Sequence, residues 1–328
     1  MNYTNSSQQK GKKGTCGVIT LGFGAREYVK MARGLGRSIR RLNPEIPLAV
    51  VSDASQEMLK PFDYILPFNA AYGDGVTQKL HLDKYSPFDE TLFIDSDCLV
   101  YRPLEQLWEF YRKSNGFGVA AWGYINKESD YNFIENIEKT FQAIDIERMP
   151  HFNGGVYYFD SSKLSKSVFK TAREFYAKRN ELGFTTFKNS PVADEPVIAL
   201  AMSANGVEPL PFNESKIMNT AIGYTENLDK VDVRRGTSRY KKNGNWVEPA
   251  VIHFNIGMQR SYVYQRELHR LAYEHSFLGS ARASILGRAK SIRLEGKRKL
   301  DGAESRIREI GLIGMLPGRI LRQLNIID

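Results

Sequence analysis

The chain has 328 residues, 42% of them hydrophobic and 25% charged, which suits one large folded domain or two small ones. Its 18 Phe, 17 Tyr and 3 Trp exclude wholesale disorder. No apolar run approaches the roughly 18 residues of a spanning helix. The polar start MNYTNSSQQKGKKGTCG lacks the apolar stretch of a secretory leader, so a cytoplasmic protein is expected.

Two cysteines, Cys16 and Cys98, sit in apolar stretches and read as reduced core residues, too few for a Cys metal site. The net charge of +9 is uneven: from Arg282 onward 11 Lys and Arg face 5 Asp and Glu, leaving the rest of the chain nearly balanced. The basic character therefore speaks about what the tail touches.

Residues 1–14 lack hydrophobic periodicity and read as a flexible arm. Cys16–Leu21 (CGVITL) reads as a buried strand leading into Gly22-Phe23-Gly24. A helix over Ala25–Leu42 follows, with Val29, Ala32, Leu35 and Ile39 on one face, and Asn43-Pro44 stops it. Leu48–Val51 is a second strand ending at Ser52-Asp53, and Tyr64–Leu66 a third. Gly75–Tyr85 reads as a helix, and Thr91–Ile94 as a strand ending at Asp95-Ser96-Asp97.

Further on come a strand at Gly116–Ala121, a helix at Tyr131–Ile144 and a strand at Asn153–Phe159. Helices are expected over Leu164–Arg179 and Glu195–Ala204. Thr237–Lys241 and Trp246–His253 flank Asn243-Gly244, a tight-hairpin signal whose second strand would deliver His253. Short apolar strands alternating with amphipathic helices predict an α/β fold with a mostly parallel sheet covered on both faces. Its binding site belongs at the carboxyl ends of the strands, where Asp53 and Asp95 fall.

In FIDSDCLV, Asp95 and Asp97 interrupt an apolar run, which is costly unless something compensates the charge. Carboxylates at i and i+2 where a strand becomes a loop suit a hard cation such as Mg²⁺ or Mn²⁺. A plain turn is the competing reading. No G-x-S-x-G, H-E-x-x-H, Walker A or complete G-x-G-x-x-G pattern is present, which leaves hydrolase and P-loop readings without support and disfavours dinucleotide binding.

Four stretches, TLFIDSDCLVYRP, HFNGGVYYFD, ADEPVIA and VIHFNIG, together resemble the GT-A (Rossmann-like) nucleotide-sugar glycosyltransferases, especially the family 8 type. The resemblance covers roughly residues 16 to 275. It implies a GT-A domain over 15–280 that transfers a sugar from a nucleotide-diphosphate donor, UDP-linked, with retention and with Mn²⁺ or Mg²⁺. By the same resemblance Asp95, Asp97 and His253 are metal ligands. Lys79 faces the donor, Asn153 lies near the transferred sugar, and Gly154 and Gly155 permit close approach. Asp194 grips sugar hydroxyls, Glu195 lies beneath the anomeric carbon, and Gly22, Phe23 and Asp53 receive the nucleoside. The sequence departs from the family at HFNIGMQR, where Gly257 is shifted and Trp is missing, with Arg260 as a substitute positive charge at the diphosphate.

Each residue also has a plain reading. His253 could be structural, Lys79 a solvated helix residue, Asp194 and Glu195 first-turn charges of a helix, and Asn153-Gly154-Gly155 a turn. His81, His151, His269 and His275 read as structural or surface residues. Two other functional classes stand beside the transferase: a sugar-1-phosphate nucleotidyltransferase, and a scaffold that binds nucleotide sugars or glycans without catalysis.

A basic helical segment is expected over 281–328, where Arg282, Arg288, Lys290, Arg293 and Lys297–Lys299 precede apolar clusters from Ile307 to Leu324. This pattern suits an anionic membrane surface, with a solvated helix or an oligomer contact as equal alternatives. Nucleic acid is disfavoured because the tail has no aromatic residue. The basic stretch RRGTSRYKK (Arg234–Lys242) is placed near the site, where it would receive an acidic or phosphate-bearing glycan or glycolipid acceptor.

Overall fold

The computed structural model describes residues 15–186, 192–212, 216–272 and 279–309. The arm expected at 1–14, His275 and the apolar clusters from Ile310 onward lie outside them. The chain divides into two units, Met1–Asn255 and Ile256–Asp328.

The first unit opens with β1 (Cys16–Leu21), α1 (Arg26–Leu42), β2 (Leu48–Ser52) and β3 (Tyr64–Pro67). Helix α1 turns Val29, Ala32, Leu35 and Ile39 inward, the three-and-four spacing that drives an amphipathic helix onto a sheet. A 3-10 stretch at Gly75–His81 and a single turn α2 (Leu82–Tyr85) stand where one continuous helix was expected. There follow β4 (Glu90–Ile94), β5 (Cys98–Val100), α3 (Glu105–Tyr111), β6 (Phe117–Gly118) and β7 (Ala120–Asn126).

The helix expected at Tyr131–Ile144 begins only with α4 (Ile137–Ile144), because Asn136 caps the Lys139 N–H at 2.9 Å. The residues before it are tied elsewhere: Glu135 N–H donates to Gly183 O, and Ile134 bridges Phe184. Next come β8 (Arg148–Phe152), β9 (Val156–Asp160), α5 (Lys163–Ala177) and α6 (Asp194–Ala204). The unit closes with β10 (Leu210–Pro211), β11 (Met218–Thr220), β12 (Tyr224–Glu226), β13 (Tyr240–Lys242), β14 (Asn245–Val247) and β15 (Val251–His253).

The main sheet has the order β3-β2-β1-β4-β9-β6. Strands β3, β2, β1 and β4 are parallel, and β9 runs against both β4 and β6. This is the mixed α/β, mostly parallel sheet flanked by helices that the strand pattern predicts. Its interior strands are buried end to end, Leu48, Ala49, Val50 and Val51 at 0% exposure, as parallel strands covered on both faces require.

Asn243 and Gly244, both at positive φ, close the β13–β14 hairpin as expected. That hairpin does not deliver His253. Glu248-Pro249 ends β14, and β15 joins a separate sheet of order β11-β15-β5, antiparallel to β5.

In the second unit α7 (Tyr262–Ala272) packs on α8 (Gly279–Glu309). A Cβ on Gly287 would stand 2.8 Å from Arg266 Cα, so the two helices approach at a point that only glycine allows. Among the described residues no helix is long and apolar enough to cross a membrane.

Candidate active site

Asp95 leaves the carboxyl end of β4, where its N–H donates to Gly155 O at 2.9 Å. The chain reverses at once into β5, and Cys98 N–H returns to Asp95 O. Asp97 is thereby set beside the end of β15, and Phe254 N–H closes on Asp97 O at 3.0 Å. In the β5–β15 ladder Cys98 lies opposite His253. Two residues 156 positions apart, Asp97 and His253, meet because two three-residue strands pair.

The imidazole of His253 is 4% exposed. Its Nδ1 lies 2.7 Å from Asn153 Oδ1. The same oxygen accepts the Gly155 N–H at 3.1 Å. An N–H cannot donate to an amide NH₂, so that atom is the oxygen and His253 Nδ1 must be the donor. The neutral ring then presents its Nε2 lone pair to Asp97 Oδ1, 2.9 Å away.

Two electron-rich atoms at that distance repel unless a proton or a metal cation lies between them. Asp97 Oδ1 is buried without an aligned hydrogen-bond donor, an orphaned acceptor of the kind a cation satisfies. Burial favours the neutral imidazole, but Asp97 outweighs it and holds the His253 pKa above its ordinary value. For Asp97, burial acts upward and His253 prevails, so its pKa falls below the usual carboxylate range.

Asp97, His253 and Cys98 each offer a ligand atom, all within 4.8 Å of one another. The sequence reading set Cys98 aside for want of partner cysteines. The β5–β15 register brings it to the group instead, although burial first and then the two aspartates keep its thiol protonated. The donor set contains a carboxylate and an imidazole whose second nitrogen is hydrogen-bonded, the usual arrangement around a divalent cation.

Asp95 turns its Oδ2 to Lys79 Nζ at 2.8 Å. Lys79 also lies 3.2 Å from Asp194 Oδ2 and 3.5 Å from Gly154 O. It is 7% exposed, which excludes the solvated-helix reading. Burial pulls its pKa down, but Asp194 and Asp95 outweigh this and keep it charged.

Asp194 begins α6 and accepts a hydrogen bond from the Tyr157 hydroxyl. Glu195 Oε1 accepts the Gly154 N–H at 2.9 Å. Burial, then the neighbouring Asp194, push Glu195 up to about 7. The first-turn placement of both carboxylates suits the helix dipole as well, so the plain reading and the site coexist.

Gly154 and Gly155 are required by space. A Cβ at Gly154 would lie 2.8 Å from Asp194 Oδ2, and one at Gly155 2.6 Å from His253 Nδ1. The main chain must pass directly under these polar groups.

At the carboxyl ends of β1 and β2, Gly22 N–H donates to Val51 O, and Asp53 accepts the Gly24 N–H at 3.1 Å. Phe23 packs its ring on Phe68 with centroids 4.6 Å apart. Since β1 pairs with β4, Gly22, Phe23 and Asp53 stand beside the Asp95 end of the sheet. Gly257 and Arg260 belong to the second unit, in its opening 3-10 turn, where Gly257 takes φ 89°.

Sequence reasoning missed Tyr157 and Tyr131. The Tyr131 phenol is pushed up by burial and then by Glu195 and Asp194, which places it beside that carboxylate pair. Neither spacing carries a signal, since Tyr157 reaches across 37 positions to Asp194.

No family model and no curated protein matches the chain. Its structure is similar to that of the galactosyltransferase LgtC in complex with donor and acceptor sugar analogs, at 16% identity, 83% coverage of this chain, 95% of that chain and a TM-score of 0.48. It is also similar to the bifunctional glycosyltransferase WbbM, at 10% identity, covering 83% of this chain and 51% of that one, with a TM-score of 0.48. The glycosyltransferase GlyE of Streptococcus pneumoniae is 16% identical, with coverages of 56% and 42% and a TM-score of 0.39.

Proposed function

We propose that the protein is a glycosyltransferase that moves a sugar from a nucleotide-diphosphate donor to a hydroxyl acceptor, with a divalent cation held by Asp95, Asp97 and His253. The observation that carries this reading is the face-to-face approach of Asp97 Oδ1 and His253 Nε2 with Nδ1 engaged by Asn153. A proton or a cation between the two atoms satisfies that geometry, and the adjacent Lys79 offers a further positive charge. When bound, Mn²⁺ or Mg²⁺ neutralises charge on a departing diphosphate.

The chain's own residues do the rest. Lys79 stays protonated beside Asp95 and Asp194 and favours the leaving anion. The bond from the anomeric carbon to the diphosphate oxygen breaks, with its electron pair leaving on that oxygen. The acceptor oxygen bonds to the carbon and gives its proton to the departing diphosphate oxygen. Asn153, Asp194 and Glu195 surround the sugar, and an ionised Glu195 stabilises positive charge on its ring, so catalysis is positioning plus electrostatics. Gly22, Phe23 and Asp53 provide the nucleoside end, and UDP with retention of configuration follows from the family 8 resemblance.

A saccharide acceptor is supported by the rings near Tyr131. His151 lies 6.0 Å from Tyr131 and 5.1 Å from Trp122, which is 44% exposed. Peripheral binding to an anionic membrane rests on the basic α8 with its exposed Ile285 and Ile292, and vesicle flotation tests it.

The experiment is donor hydrolysis with Mn²⁺, in the parent and in Asp97→Ala. A transferase hydrolyses the nucleotide sugar slowly without acceptor and loses this in the variant. A nucleotidyltransferase requires a nucleoside triphosphate, and a scaffold gives no turnover. A thermal-shift panel of nucleotide sugars with Mn²⁺ identifies the donor, since a ligand of the native state raises Tm.

A further inference from the structure

A cavity of about 680 Å³ lies in the first unit between α3 and the β13–β14 hairpin. Arg102, Lys113, Lys216, Arg239, Trp246 and Glu248 are among its lining residues. It is remote from Asp97 and His253 by construction of the fold. In the β5–β15 ladder those two residues stand at one end, and Tyr101 N–H to Ala250 O marks the other, next to Arg102 and Glu248. Asp97 and Arg102 lie five positions apart on either side of the three-residue β5, on the order of 16 Å for extended chain at ~3.3 Å per residue.

The cavity is built rather than incidental. Arg102 is ion-paired with Glu248, which fixes its guanidinium, and its Nε is buried without a hydrogen-bond partner. The Arg239 guanidinium lies 4.4 Å from the Trp246 ring centroid, and Lys241, opposite Trp246 in the hairpin, adds a second cation at 5.4 Å. Trp246 remains 46% exposed, so much of its ring is uncovered. Among the described residues Lys113, Lys216 and Arg239 form no ion pair. Besides Glu248, already engaged by Arg102, only Glu109 of the lining carries negative charge. The balance is positive beside a half-exposed indole.

We propose that this cavity binds an anionic saccharide, one whose phosphate or carboxylate meets Arg239, Lys113 and Lys216 while its ring covers Trp246. Guanidinium and ammonium groups supply charge-assisted hydrogen bonds to either anion. The flat indole face takes the apolar C–H side of a sugar ring, and the volume falls in the range of small-ligand pockets. The proposal is independent of sugar transfer at Asp97 and His253. Of the basic stretch Arg234–Lys242, Arg239 lines this cavity.

The test is tryptophan fluorescence of the full chain titrated with glucose 6-phosphate, glucuronate, neutral glucose and inorganic phosphate. A saturable change with glucose 6-phosphate or glucuronate is expected, the two arms distinguishing phosphate from carboxylate. Trp246→Phe should abolish the change, which separates it from Trp108 and Trp122, and Arg239→Glu should weaken binding about tenfold or more. Donor hydrolysis should stay unchanged in both variants. Calorimetric titration of Lys113→Glu provides the same reading should Trp246→Phe fail to fold. The proposal is overturned by no saturable binding up to ~10 mM, by neutral glucose binding equally well, or by inorganic phosphate matching the sugar phosphate.

Discussion

Asn153 Oδ1 holds His253 Nδ1 at 2.7 Å and the Gly155 N–H at 3.1 Å, so one amide oxygen sets the tautomer of the histidine that faces Asp97. On the proposed function, Asn153 would act on the cation through His253. Removing such a partner typically weakens metal binding about 10–100-fold. Asn153→Ala should show this loss in a Mn²⁺ titration followed by the paramagnetic signal of the free ion. Unchanged affinity would remove the tautomer argument.

Gly155→Ala should weaken cation binding by a different route. Its Cβ would meet His253 Nδ1 at 2.6 Å, and the ring has no room to retreat at 4% exposure. We expect at least tenfold weaker Mn²⁺ binding and a stability loss of about 1–3 kcal/mol, the usual range for overpacking. Urea unfolding beside the titration separates the two effects.

Lys79 stands between the partly buried Asp95 and the buried Asp194. Lys79→Met leaves both without their cation, and breaking a buried pair costs about 3–5 kcal/mol. The double variant Lys79→Met with Asp194→Asn should recover part of that loss in urea unfolding. Additive losses would contradict the coupling.

Glu195 titrates near 7 in the folded chain against 4.5 unperturbed. Between those values the native state keeps a proton that the unfolded chain has released. The stability this contributes is complete below pH 4.5 and is lost as pH rises through about 7. The parent Tm should therefore fall by a few degrees relative to Glu195→Gln between pH 5 and 8. In the same window kcat should rise as Glu195 ionises. Parallel Tm curves would contradict this.

The parallel sheet was legible because its strands are buried on both faces and therefore uniformly apolar, and because α1 shows its period openly. Asp95 and Asp97 stood out as charges inside such a run. What failed to show depends on pairing between distant segments. The strand Cys98–Val100 is three residues long and exists because β15 docks on it. That docking, and not the Asn243-Gly244 hairpin, positions His253. The expected helix from Tyr131 was lost to a bridge with Phe184 and a cap at Asn136, and no local propensity registers the bridge. Tyr157 reached Asp194 through sheet and helix packing, which leaves no mark in residue spacing.

The most direct test of the central claim is equilibrium Mn²⁺ binding to the parent, Asp97→Asn and His253→Ala, with circular dichroism confirming that each is folded. The account predicts one saturable site in the parent, at least 100-fold weakened in either variant, and donor hydrolysis that disappears with chelator and returns with Mn²⁺. Equal binding in all three proteins, or hydrolysis indifferent to chelator, would contradict it.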